Sequence, residues 1–87
     1  MDIENKVTKR FLKDMAPNEV LFYLDELKIP SPHKEILIAV CVFDKDGWEG
    51  VDFLEKEYHI SIGYWSFVRR LKEALKKFRL AYSFYKA

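Results

Sequence analysis

The stretch Trp48–Phe78, WEGVDFLEKEYHISIGYWSFVRRLKEALKKF, decides how the rest of the chain is read. Its first part spaces Val51, Leu54 and Tyr58 as a helical stripe, with Phe53 beside it, and leaves Glu49, Asp52, Glu55, Lys56 and Glu57 to solvent. His59 and Ile60 break the pattern. Ser61 then stands where a hydroxyl caps a helix start. Tyr64, Trp65, Val68, Leu71, Leu75 and Phe78 give the apolar stripe of a second, longer helix.

Working outward, Asp44-Lys45-Asp46-Gly47 is a turn in which Gly47 is free to take the left-handed conformation. Before it, His33–Phe43 is almost wholly apolar. Its β-branched residues would suit a buried strand. The Ser31-Pro32 start and the helical neighbours favour a helix, and one this apolar belongs at the centre of a bundle. Glu19–Leu27 carries Val20, Leu21, Leu24 and Leu27 on one face, with Phe22 and Tyr23 widening it and Asn18 placed to cap it. Asp2–Met15 spaces Ile3, Val7, Phe11 (with Leu12) and Met15 in steps of four, one stripe of a first helix, which Pro17 separates from the second. Residues 79–87, with Leu80, Tyr82, Phe84 and Tyr85, either extend the last helix or fold back as a short element. The expected fold is all-α: one domain, 1–87, forming a small orthogonal bundle of about five helices. It divides into an N-terminal helical pair (1–29), a central module (30–78) and an aromatic and basic tail (79–87).

The 87 residues are 49% hydrophobic and 33% charged, a globular rather than disordered balance. The longest apolar run, Ile36–Phe43, falls far short of the roughly 20 residues of a membrane span. MDIENKVTKR is too polar for a secretory signal. A lone cysteine, Cys41, makes no internal disulfide and reads as core in a reducing cytoplasm. His33 and His59 lack metal-ligand spacing with it, and there is no Gly-rich phosphate loop, so no metal, cofactor or catalytic residue is expected. The net charge of +1 hides a division: residues 1–58 hold eight Lys/Arg against thirteen Asp/Glu, and residues 59–87 hold seven against Glu73 alone. The positive charge collects on the helix after the turn, where an anionic partner would find it.

Two helices on a sharp connection, the second basic, have the form of a helix-turn-helix. Leu54, Tyr58 and Ile60 supply packing for the first helix and the turn, and Trp65 and Val68 hold the second helix down. Ile62, Gly63, Ser66, Arg69, Arg70 and Glu73 are left facing outward. Gly63 and Ser66 permit close approach. Arg69 and Arg70 suit guanine edges or phosphates, and Lys72, Lys76, Lys77 and Arg79 suit backbone phosphates.

The segment DKDGWEGVDFLEKEYHISIGYWSFVRRLKEAL, preceded by IPSPHKEILIAV, resembles the helix-turn-helix of the large tri-helical class. It is similar in particular to sigma-factor region four and to small phage and prophage regulators, over residues 30–78. The resemblance implies DNA contacts from the Ser that opens the second helix and from the polar residues after it. In this chain those are Ser61, Gly63, Tyr64, Ser66, Arg69 and Arg70. The chain departs from the pattern at His59, where Gly is usual in the turn, at Leu54, where a small residue is usual at the crossing, and at Trp65, in place of an aliphatic.

The expected function is sequence-specific binding of double-stranded DNA by a small transcriptional regulator of phage, prophage or mobile-element type. The contacts would come from Ser61, Gly63, Tyr64, Ser66, Arg69, Arg70, Lys72, Lys76 and Lys77, with the second helix in the major groove. The competing expectation is a phage-type protein-interaction module that grips a host enzyme or polymerase subunit and uses the helix pair as scaffold, its acidic front docking a basic partner. A homodimer or protein contact through the N-terminal helices is compatible with both.

Overall fold

A computed structural model describes residues 2–87, and every element in it is helical. Helix α1 (Ile3–Asp14) is capped by Asp2, whose carboxylate accepts the Asn5 N–H at 2.8 Å. Helix α2 (Pro17–Glu26) starts on Pro17, where a missing N–H costs nothing. Asn18 therefore lies inside the helix instead of capping it. Helix α3 begins at His33 as an α-helix and widens over Ile38–Val42 into a π-helical turn. Ser31 does not cap α3, because its hydroxyl donates to Glu35 Oε2 at 2.9 Å. Helix α4 (Gly47–Tyr58) has Asp46 at its cap and Gly47 at φ +57°, as the turn reading requires. Helix α5 (Tyr64–Lys86) is a single helix of 23 residues that absorbs most of the tail.

The most apolar helix is the central one. Ile36 to Cys41 are all buried, and α3 packs against α1, α2, α4 and α5. Six consecutive residues without a polar position leave no face for water, so the helix has to be covered on all sides. Around it gather Leu12 of α1, Val20 and Leu24 of α2, Leu54 of α4, and Phe67, Leu71, Ala74, Leu75 and Phe78 of α5. The α4–α5 crossing is set by Gly50. A Cβ there would run into the buried Phe67 ring and lie 2.8 Å from the Lys45 carbonyl oxygen. The small residue at the crossing is thus Gly50, one turn before Leu54.

Two stripes take a different phase from the one their spacing suggests. α1 buries Asn5, Thr8 and Leu12 and leaves Ile3, Val7 and Phe11 exposed. Asn5 is satisfied there by the Arg79 guanidinium, whose Nη1 donates to Asn5 Oδ1 at 2.9 Å, and the Thr8 hydroxyl donates to the Glu4 carbonyl. α5 is anchored by Phe67, whereas Trp65 is 78% exposed. No described helix is long and apolar enough to cross a membrane.

Candidate nucleic-acid interface

The connection between α4 and α5 starts at His59, which adopts the left-handed conformation (φ 56°, ψ 33°) and ends α4 by donating its N–H to Glu55 O at 3.1 Å. His59 thus holds a backbone conformation that glycine adopts freely and that is strained for a residue with a side chain. The connection then runs without helical structure from Ile60 to Gly63, longer than the spacing suggests, and Gly63 is extended (φ −77°, ψ 162°). Gly63, not Ser61, is the cap residue of α5, and no side chain bonds the first N–H groups of the helix. Ser61 and Gly63 lie exposed in the loop ahead of that free, positive end.

Along α5 the core residues Phe67, Leu71, Ala74, Leu75 and Phe78 fix the inward direction. Helical spacing then sets two rows on the outer side. One row is Trp65, Arg69, Lys72 and Lys76, all exposed. The other is Ser66, Arg70, Glu73 and Lys77, with Ser66 and Arg70 half-buried. Seven of the nine residues expected to contact DNA thus belong to one helix, and six of those seven belong to these two rows. Tyr64 is the seventh. Its ring stacks on Trp48 at 5.0 Å and 28°, and meets Trp65 edge-on at 5.0 Å. Trp48, itself 68% exposed, and Trp65 flank it as a surface aromatic cluster at the start of the basic rows.

Ion pairing engages part of the remaining cations. Among the described residues, Lys9 pairs with Asp46 and Lys13 with Asp44, each at 2.7 Å, tying α1 to the turn before α4. The Lys13 ammonium holds the Asp44 carboxyl below its ordinary range, by hydrogen bonding first and by charge second. Arg10 pairs with Asp14, Lys34 with Asp25 and Lys56 with Asp52. Arg79, which sequence spacing places in the positive stripe, turns instead to Asn5 and Glu4 of α1. Among the described residues Arg69, Arg70, Lys72, Lys76 and Lys77 form no ion pair, and neither do Lys6, Lys28, Lys45 and Lys86, but only the first five gather on adjacent rows of one helix. The one acid in the two rows, Glu73, faces His33 Nε2 at 3.4 Å and closes a shallow cup with Lys76, Lys77 and Leu80.

Trp65, which its hydrophobicity assigns to the interior, lies on the surface beside the exposed Trp48. The available signal was position: Trp65 lies four residues before Arg69 and seven before Lys72, on their face. Cys41 is buried, and burial pushes its thiol up to about 12, so it carries no reactive thiolate at neutral pH. No group of His, Cys, Asp and Glu among the described residues is arranged to hold a metal ion. No protein-family model, curated protein or solved structure matches the chain.

Proposed function

We propose that the chain binds double-stranded DNA through the outer face of α5 and acts as a small transcriptional regulator, with the first turns of α5 entering the major groove. One observation carries the reading: five cations cluster on adjacent rows of one helix without an acidic partner among the described residues, while Lys9 and Lys13 of α1 are paired with the turn before α4. Unpaired cations in rows keep their charge available for phosphates and release counterions when they meet them. The left-handed His59 and the Gly50 crossing support a helix-turn-helix geometry. The uncapped start of α5 adds backbone N–H donors beside Ser61 and Gly63 for a phosphate.

The roles divide by position. Arg69, one turn after Trp65, serves base edges, and Lys72, Lys76 and Lys77, further along, serve the backbone. Selection of a preferred duplex from a randomised pool, followed by anisotropy titrations, tests the division. Arg69→Ala is expected to cost about 1–3 kcal/mol on the preferred site and to relax selectivity. Lys76→Ala is expected to weaken all duplexes alike. No binding to any duplex at low salt would end the proposal.

A second reading has its own observation. Trp48 and Trp65 are large aromatic side chains on open surface, the type that anchors protein interfaces. In that reading the helix pair is scaffold, and the aromatic cluster grips a protein. A stoichiometric protein partner whose capture needs Trp65, with duplex binding absent, would favour it.

A further inference from the structure

Both tryptophans of the chain lie on the surface where the basic rows of α5 begin. Trp48 stacks on one side of this cluster against Tyr64, and Tyr64 meets Trp65 at 83°. Two rings at nearly a right angle do not cover each other, so Trp65 keeps a ring face open to solvent. The exposed Arg69, Lys72 and Lys76 follow Trp65 in one row, about 6, 11 and 17 Å further along the helix axis. None of the three has an acidic partner among the described residues.

We propose that Trp65 stacks against an unpaired DNA base, so that the preferred target of α5 is a duplex interrupted by unpaired nucleotides. The inference rests on the reading of α5 as a DNA-binding face and narrows the substrate of that face. Open aromatic rings by themselves would fit many apolar partners. A row of unpartnered cations that starts at the same ring selects a polyanion, and a polyanion that also carries flat apolar faces is a nucleic acid. In a fully paired duplex each base has both faces covered by its neighbours in the stack. Trp65, in the row that meets the groove, then finds only base edges and phosphates, and its ring gains no stacking partner. An unpaired base has a face to offer, and stacking on an aromatic ring accepts any base. Trp48, on the other side of Tyr64, extends the platform toward a neighbouring base. The flanking duplex runs along Arg69, Lys72 and Lys76, which hold its charge.

The test compares a fully paired DNA duplex with the same duplex carrying three unpaired thymines at its centre, so that the duplex ends are identical in both. Anisotropy titrations of the full chain at low salt are expected to show the interrupted duplex bound roughly tenfold more tightly, the scale of one stacked base. Because the chain has no tryptophan outside the cluster, quenching of its intrinsic emission reports stacking at this site alone. Trp65→Ala is expected to abolish the preference and to leave the paired duplex bound within about twofold, since it removes no charge. Trp65→Phe should keep part of the preference, and Lys76→Ala should weaken both duplexes alike. Equal affinity for the two duplexes overturns the inference and leaves the duplex reading in place, whereas no binding to either ends both. A preference that survives Trp65→Ala comes from the bent shape of the interrupted duplex and overturns it too. So does tighter binding of the same interrupted duplex made of RNA, or a protein partner that needs Trp65 while DNA binding is absent.

Discussion

Gly50 and Phe67 show how much single residues fix in this chain. A methyl group on Gly50 has no room between the Phe67 ring and the Lys45 carbonyl. Gly50→Ala is expected to destabilise the fold by about 1–3 kcal/mol in urea unfolding, although alanine is the better helix former by about 1 kcal/mol. The opposite holds at Trp65: Trp65→Ala is expected to leave stability within about 0.5 kcal/mol, since the ring is on the surface. A large loss at Trp65 would restore the anchor role that its hydrophobicity suggests. Hydrophobicity alone gives the wrong phase for α5. The stripe Tyr64, Trp65, Val68, Leu71, Leu75, Phe78 and the true one, Phe67, Leu71, Ala74, Leu75, Phe78, share three members, and the tryptophan tips the choice toward the wrong one. At Cys41 the reading as core agrees with its burial. Its thiol stays neutral up to about 12 in the folded state, against an ordinary 9.0. The folded-state value is raised, so the stability tied to the neutral thiol is complete below pH 9. Above it, about 1.4 kcal/mol is lost per pH unit as the unfolded chain ionises. Denaturant titrations between pH 8 and pH 10 are expected to show a shallower alkaline decline for Cys41→Ala than for the parent chain.

At the scale of elements, caps and breakers placed the helices better than stripes oriented them. Asp2, Pro17, the Ser31-Pro32 pair and the Asp46-Gly47 turn bound α1 to α4 within a residue or two of where they lie. The start of α5 was less legible, because a serine after a turn reads as a cap whether or not its backbone is helical. Ser61 lies outside any helix, and the helix starts at Tyr64. The tail was open between extending α5 and folding back, and aromatic packing explains the outcome. Tyr82 stacks on Phe78 at 5.5 Å and meets Phe11 and Tyr23 edge-on at 5.3 Å each, pinning the end of α5 to α1 and α2. Tyr82→Ala is expected to cost about 2–3 kcal/mol and to speed amide exchange in residues 79–86 and in α1 more than in α4. Uniform exchange across the chain would mean that Tyr82 is not the pin. The phase of α1 had no signal strong enough to correct it, because Asn5 and Thr8 are buried only through bonds to Arg79 and to the helix backbone.

Over the whole molecule, the division of charge in the sequence becomes a division of surfaces. Acids of residues 1–58 pair five of the eight Lys and Arg there, and the five cations of the α5 rows have no acidic partner among the described residues. The measurement that bears most directly on the central claim is the salt dependence of duplex binding by the α5 face. Five free cations predict log Kd rising with log salt at a slope of about 4–5, falling to about 1–2 when Arg69, Lys72 and Lys76 are all replaced by Ala. A slope unchanged by that triple substitution, or no duplex binding at low salt, would contradict the account.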